Sequence, residues 1–311
     1  MKNGYIGSVR FYKNLILLFV IIAIAVPTGI AISEKVDIKH LRAEISVLNA
    51  TVAEKEELLA AKEAEAQAAL EAAMVTEADA PAYQELYPDF YAPQAYGASV
   101  REEGVIYLTF DDGPTRRTDE ILDILAEKNV KATFFVVGQS REENLQRMRR
   151  IVEEGHTIGM HSYSHEYSVI YNSVEDYLGD MYALFCQIRE TTGQTPTVFR
   201  FPGGSINGYN GGLYMEMVAE MIRRGFVPHD WNLSSEDAAR GNVSVDHIVS
   251  SVVGGASGKS RGVVLMHDSE AKVNTVRALG TIIDRLQAKG FRLEALTPET
   301  KPILFSYLDD K

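Results

Sequence analysis

Adjacent carboxylates and paired histidines are the side chains of this sequence best suited to binding a metal ion. Asp111 and Asp112 follow directly after an apolar run, and their like charges repel unless a cation or an arginine compensates them. His161 and His165 stand four residues apart, so both imidazoles can reach a common point. One carboxylate with two neutral imidazoles suits zinc and related ions and leaves positions open for water and substrate. The combination favours a metal centre over a plain Asp-Gly turn beside an unrelated histidine pair.

Further along the chain, another apolar run ends in an arginine. Arg200 would be a charge at the end of a buried strand, which needs a partner, and Asp111 is a candidate. Gly203 and Gly204 follow it and let the backbone approach a ligand closely. The alternative is a simple proline-glycine turn.

Two later apolar runs end in Asp230-Trp231 and in His267. Trp231 is the single tryptophan of the chain, and it either forms the apolar wall of a pocket or caps the core. The place of His267 at the end of an apolar run favours catalysis over an ordinary surface histidine.

The elements that must position these residues alternate between short apolar strands and amphipathic helices. The predicted strands are Val105–Phe110, Thr133–Val137, Thr157–Met160, Val198–Arg200, Phe226–His229, Gly262–Met266 and Phe291–Leu293. The predicted helices are Thr118–Lys128, Glu142–Glu154, Ser173–Thr192, Met215–Arg224, Val245–Val253 and Val273–Lys289. This repetition predicts an α/β fold with a parallel sheet and outer helices. About seven such units indicate a closed or nearly closed β/α barrel, whose chemistry gathers at the carboxyl ends of the strands.

With these motifs in order, residues 104 to 296 resemble the polysaccharide deacetylases of carbohydrate esterase family 4, which share the NodB-homology domain. The motifs that carry the resemblance are TFDDGP at Thr109–Pro114, HSxxH at His161–His165, R-x-P at Arg200–Pro202, Asp-Trp at Asp230–Trp231 and L-x-H at Leu265–His267. The resemblance implies a distorted (β/α)7 barrel and a metal-dependent hydrolase that acts on polysaccharides.

The resemblance also implies roles for single residues. Asp112, His161 and His165 would bind the metal, which would be zinc, with cobalt or nickel also compatible with these ligands. Asp111 would be the general base, and Arg200 would hold it ionised and oriented.

A second group of roles concerns the leaving group and the acetyl pocket. His267 would be the general acid, and Asp230 would support its charged form. Trp231 and Leu265 would line the pocket for the acetyl methyl group. The third motif departs from the Arg-Pro-Pro-Tyr of many members, because it ends in Gly203, which keeps the backbone N–H expected to donate to the oxyanion but lacks the tyrosine ring.

An uncharged stretch near the N-terminus predicts a single-pass membrane anchor within residues 1–33. Leu15–Ile32 carries no charge and is long enough to approach a membrane span, and only basic charges precede it. By the positive-inside rule, the remainder lies outside the cell, tethered to the membrane. A cleaved signal peptide is the alternative and gives the same location.

Between the anchor and the barrel, residues 34–76 lack glycine and proline and show heptad spacing. They predict a helical stalk that either self-associates as a coiled coil, although Lys55 and Lys62 interrupt its apolar seam, or stands alone. The prolines and tyrosines of residues 77–103 predict a linker. The deacetylase domain then spans residues 104–311.

The composition narrows the function further. A net charge of -12 over 311 residues argues against a nucleic-acid partner, and a single cysteine, Cys186, excludes an intramolecular disulfide. The anchor favours peptidoglycan amino sugars as the substrate. Chitin-like oligomers or acetylated xylan are the alternatives, and a catalytically inactive glycan-binding protein is disfavoured because every expected ligand is present.

Overall fold

The computed structural model describes residues 80–93, 100, 102–238 and 243–305, together with the single residues 13, 55 and 62. The chain separates into two compact units, Met1–Asp79 and Ala80–Lys311. The predicted anchor and stalk lie outside the described residues, apart from those three lysines. Among the residues that are described, no helix has the length and apolarity needed to cross a membrane.

Eight parallel strands form one sheet. They are β1 (Val105–Asp111), β2 (Thr133–Val137), β3 (Thr157–Ser162), β4 (Val198–Phe199), β5 (Val227–Pro228), β6 (Leu233–Ser234), β7 (Arg261–His267) and β8 (Arg292–Glu294). The sheet order is β5-β4-β3-β2-β1-β7-β6, and β8 pairs with the first residues of β1. The seven predicted strands are confirmed, whereas β6 was not predicted.

In the described residues from 80 onward, seven α-helices connect and cover the strands. They are α1 (Arg116–Glu127), α2 (Glu142–Glu153), α3 (Tyr167–Ile170), α4 (Val174–Thr192), α5 (Tyr214–Arg223), α6 (Val245–Gly255) and α7 (Val273–Ala288). Local sequence sets their ends: Ser173 caps α4 by accepting a hydrogen bond from the N–H of Asp176, and Gly193 ends it with a φ of 72°. The six predicted helices are confirmed, and the single turn α3 was not predicted.

The sheet curves into a parallel half-barrel that is consistent with the predicted (β/α)7 barrel. Along its described length, β5 and β6 are the two ends of the sheet and do not pair with each other. The C-terminal segment lies beside this opening, where the N–H of Asp230 donates to the carbonyl of Ile303 at 2.7 Å. The ring of Phe305 meets that of Trp231 edge to face, with 4.8 Å between centroids.

Side chains of β1 alternate between two apolar layers, as strand geometry requires. Ile106, Leu108 and Phe110 belong to the larger core that lies between sheet and helices. Val105 and Tyr107 belong to the smaller core inside the barrel. Continuation of the inward face by two and four residues leads to Thr109 and Asp111, so the first carboxylate of the pair is delivered above the inner core.

The segment that precedes the barrel is fastened to it by a buried arginine. Arg224 follows α5, is 1% exposed, and forms an ion pair with Glu220 at 2.6 Å. Its guanidinium also donates to main-chain carbonyls of five residues between Tyr83 and Phe90. Phe90 itself is fully buried. Residues 80–93, which the sequence assigned to the linker, therefore belong to the same compact unit as the barrel.

Candidate active site

The residues with predicted chemistry meet at the carboxyl ends of neighbouring strands. Asp111 ends β1 and lies in register with His267, which ends β7 on the adjacent strand. His161 lies near the end of β3, and the N–H of Arg200 donates to the carbonyl of Met160 on that strand. The strand order therefore brings together side chains that lie up to 156 residues apart in the sequence, which is the separation of Asp111 and His267.

Asp112, His161 and His165 form the one group of histidine and acidic side chains in the described residues whose geometry suits a metal ion. One ligand atom from each lies within 4.8 Å of the others. The Asp112 Oδ1 atom is 3.2 Å from His165 Nε2 and 3.6 Å from His161 Nε2. His161 is buried, while His165 and Asp112 keep about a third of their side chains exposed, at 33% and 30%. The cluster is thus anchored on one side and open on the other.

The tautomer of His161 and the charge of Asp112 suit the binding of a cation. The His161 Nδ1 atom lies 2.8 Å from the carbonyl of Arg200, and because a carbonyl only accepts, Nδ1 carries the proton and Nε2 is left as the ligand atom. Burial lowers the pKa of His161, which keeps it neutral. Burial alone would raise the pKa of Asp112, but the hydrogen bond from His165 and the other nearby histidines together outweigh it, so the pKa lies well below its usual range.

Two of these residues have a left-handed backbone conformation. Asp112 has a φ of 74° and His165 a φ of 57°, a left-handed conformation that is uncommon outside glycine. Such conformations persist where the surrounding structure holds them, and they cluster at functional sites. Here they turn both side chains toward His161. The donor set, the fixed tautomer of His161 and these turns fit a zinc-type metal.

Gly113, the glycine of the first motif, is required by close packing. A Cβ atom at this position would collide with the carboxyl group of Asp268. Asp268 is fully buried, and burial raises its pKa to about 7. It accepts a hydrogen bond from the hydroxyl of Thr118 at 2.5 Å. This packing ties the turn after β1 to the residue that follows His267.

Asp111 forms a buried ion pair with Arg200. One guanidinium nitrogen of Arg200 is 2.8 Å from Asp111 Oδ1, and both side chains are at most 3% exposed. The same guanidinium donates to the hydroxyl of Thr109 and to the carbonyls of His229 and Asp230. With its donors occupied on several sides, Arg200 holds Asp111 in one orientation. The pairing expected from the sequence is present.

The carboxylate that supports His267 is Asp237, and the prediction of Asp230 for this position was wrong. The Asp237 Oδ1 atom is 2.7 Å from His267 Nδ1, and Oδ2 accepts hydrogen bonds from the His267 N–H and the Thr275 hydroxyl. Burial would lower the pKa of His267, but the hydrogen bond and charge of Asp237 outweigh it, so the pKa is raised. Because Nδ1 is occupied, Nε2 is the ring nitrogen left for a substrate.

Asp230 instead holds two loops together. Its carboxylate accepts from the N–H and hydroxyl of Ser205 and from the N–H of Phe305. It therefore joins the loop after β4 to the C-terminal segment at the open side of the barrel. It and Asp237 are both almost fully buried, so burial alone does not distinguish them.

A signal for Asp237 was present in the sequence but weak. Asp237 follows Leu233 and Ser234, which form the short strand β6 beside β7. A strand of two residues gives too little alternation to be recognised. The adjacent pair Asp230-Trp231 was the more visible match to the motif.

The remaining predicted residues surround the same edge. Leu265 lies on β7, two residues before His267 on the same face, and is half-buried. The half-buried Trp231 packs against the inner core and lies 5.7 Å from the guanidinium of Arg200. Gly203 is exposed, with a φ of 77°. The structure describes these positions, and their roles toward a substrate stay predictions.

Comparison with known proteins finds similarity to polysaccharide deacetylases. Residues 98–216 match the profile of the family described as polysaccharide deacetylase. The chain is 35% identical to a peptidoglycan-N-acetylglucosamine deacetylase of Bacillus cereus, over 64% of this chain and 72% of that protein. It is 31% identical to YheN of Bacillus subtilis, a putative polysaccharide deacetylase, over 64% of this chain and 69% of that protein.

A solved structure agrees with these sequences. The catalytic domain of a peptidoglycan N-acetylglucosamine deacetylase from Eubacterium rectale superposes with a TM-score of 0.65 and 34% identity. The match covers 69% of this chain and 99% of that domain. It therefore extends over almost the whole of that catalytic domain.

Proposed function

Because this chain belongs to the polysaccharide deacetylase family, we propose that it hydrolyses the N-acetyl groups of peptidoglycan amino sugars and releases acetate. One observation carries the proposal: a metal-type cluster, an arginine-held carboxylate and an aspartate-held histidine lie together at the carboxyl edge of one sheet. Amide hydrolysis needs each of these parts, because water must be activated and a poor leaving group must be protonated.

The metal would be held by Asp112, His161 and His165. When bound, it supplies a Lewis acid that lowers the pKa of water and polarises a carbonyl. Zinc fits these ligands, as do cobalt and nickel.

Asp111 is placed to accept the proton of the attacking water. The ion pair with Arg200 orients its carboxylate and leaves Oδ2 facing the cluster, 3.8 Å from His161 Nε2. Water then adds to the acetyl carbon, and the negative charge that develops on the carbonyl oxygen needs a donor. The N–H of the exposed Gly203 is the backbone donor assigned to that oxygen.

His267 is placed to protonate the leaving nitrogen. Its Nδ1–H donates to Asp237, and this negative charge stabilises the imidazolium whose Nε2–H is given up. When the C–N bond breaks, the electron pair stays on nitrogen and takes that proton. A free amine on the sugar and acetate result.

Acetate release by the full-length chain tests the proposal. We expect release from peptidoglycan in the presence of zinc, loss of release after treatment with a chelator, and recovery when zinc is added back. N-acetylglucosamine oligomers and acetylated xylan are measured in parallel. Release from xylan alone would overturn the substrate, and a folded, zinc-loaded chain inactive on all three would overturn the activity.

The assignment of Asp237, and not Asp230, as the carboxylate that supports His267 can be tested by the pH dependence of kcat. In Asp237→Asn the charge beside His267 is lost, so the pKa of His267 falls and its protonated form disappears at lower pH. We expect kcat at pH 8 to drop about 100-fold and the alkaline limb of the profile to move to lower pH. Asp230→Asn, whose side chain contacts Ser205 and Phe305, is the matched control and should keep the wild-type limb. If the alkaline limb moved in Asp230→Asn and not in Asp237→Asn, Asp230 would be the carboxylate that supports His267.

We further propose that Leu15–Ile32 tethers the domain to the outer face of a membrane, with residues 34–76 as a stalk. The support is the uncharged apolar run, the basic residues that precede it and the helical composition that follows. Such a tether would place the enzyme within reach of peptidoglycan.

A further inference from the structure

Next to the metal-type cluster, an aromatic ring lies against a bare stretch of backbone. A Cβ atom on Gly203 would lie 3.0 Å from both Cε1 and the hydroxyl oxygen of Tyr167. The ring of Tyr167 is therefore in contact with the backbone at the position assigned to the oxyanion donor. No side chain from residue 203 separates the two.

Tyr167 is fixed in this position by its neighbours. Its ring meets His165 edge to face at 5.5 Å and Tyr171 at 5.8 Å between centroids. The hydroxyl of Tyr171 donates to the carbonyl of Pro202 at 2.8 Å, which links this aromatic group to the turn before Gly203. The ring of Tyr167 thus lies against His165, a predicted metal ligand.

A second tyrosine continues the aromatic surface outward. The ring of Tyr209 meets Tyr167 at 5.2 Å, yet Tyr209 is 62% exposed. Its loop is rigidly held: the N–H of Tyr209 donates to the side chain of Asn207, whose own amide donates to the carbonyls of Pro202 and Gly204. The exposed ring of Tyr209 thus contacts Tyr167, whose ring in turn contacts His165.

We propose that Tyr209, with Tyr167 behind it, binds the pyranose ring adjacent to the sugar that carries the acetyl group. This inference rests on the proposed function. One face of a pyranose presents apolar C–H groups that pack on an aromatic ring, while the phenol hydroxyl can bond to a sugar hydroxyl. Continuity from His165 through Tyr167 to Tyr209 makes the neighbouring sugar of the same glycan the occupant. The two rings would therefore select polymeric over monomeric substrates.

The test compares Tyr209→Ala, Tyr209→Phe and a distant control in the full-length, zinc-loaded chain. The control is Tyr91→Ala, an exposed tyrosine (38%) on the segment that precedes the barrel. Kinetics are measured on the N-acetylglucosamine tetramer and monomer, and the affinity of the tetramer is measured by calorimetry. We expect Tyr209→Ala to raise KM and Kd for the tetramer about tenfold, with a smaller change in kcat.

The expected pattern also includes a smaller effect of Tyr209→Ala on the monomer, most of the affinity kept in Tyr209→Phe, and wild-type values in the control. An unchanged KM and Kd for the tetramer in Tyr209→Ala would overturn the inference while acetate release stands. If the wild type binds the tetramer without releasing acetate, the proposed function fails, and weaker binding by Tyr209→Ala would still support the sugar site. If the wild type neither binds nor deacetylates the tetramer, both fail.

Discussion

His165→Ala should leave a folded protein that no longer retains zinc after desalting and that releases acetate at least about a thousandfold more slowly than the wild type. His165 is the most exposed of the three proposed ligands, and its imidazole contacts Asp112 at 3.2 Å and the ring of Tyr167. Its removal takes away one of three ligand atoms without opening the core. The remaining Asp112 and His161 form too small a set to hold the ion.

The matched control for this variant is His247→Ala. His247 lies on α6, and its side chain is 51% exposed and paired with Glu236 at 2.6 Å. It should keep one zinc per chain and the wild-type rate. Elemental analysis gives the zinc content, circular dichroism the fold, and released acetate the rate. Full zinc and full activity in His165→Ala would remove the cluster from the mechanism.

The barrel was predictable because its strands and helices carry strong local signals. β1 and β7 each have seven residues. The apolar run of β1 is buried on both faces and that of β7 on one, and α4 has a serine cap and a glycine end. The two elements that were missed, β6 and α3, have two and four residues. Elements this short are fixed by tertiary contacts, here by pairing of β6 with β7, and not by their own sequence pattern.

The length of the neighbouring strand also decided which residues of the candidate site could be predicted. Asp111, Asp112 and His267 sit at the ends of long strands, so the sequence could place them at one edge of the sheet. Which acid would meet His267 depended on the path of residues 229–237 across the open side of the barrel, where pairing is sparse. Asp230 lies before β6 and Asp237 after it, and only the latter reaches the end of β7.

The aromatic surface was missed for a further reason. Tyr167 and Tyr209 come from different connections, and neither stands in a motif. Their meeting depends on the connections that follow β3 and β4, and sequence spacing does not determine how such connections approach each other. The absence of a side chain at Gly203 was visible in the sequence, but the ring that lies against it was not.

Arg200→Met should lower both the stability of the protein and its rate of acetate release. The change leaves the Asp111 carboxylate, 2% exposed, without a positive charge against it, which costs about 3–5 kcal/mol of stability. Asp111, the proposed base, also loses the partner that orients it, so we expect kcat to fall at least about 1000-fold. Urea denaturation measures the first effect, and acetate release per folded molecule, well below the transition, measures the second.

Arg224→Met is the control that gives this prediction its meaning. Arg224 is equally buried and pairs with Glu220, which keeps its ion pair with Arg223 when Arg224 is replaced. Arg224 also fastens residues 83–90, and its side chain contacts no residue of the site. Because its buried hydrogen bonds to residues 83–90 are lost, we expect Arg224→Met to be destabilised but to keep a nearly wild-type rate per folded molecule. If both variants lost activity in proportion to stability alone, Arg200 would be a core residue like Arg224. A rate loss confined to Arg200→Met would instead show that the pair with Asp111 is part of the chemistry.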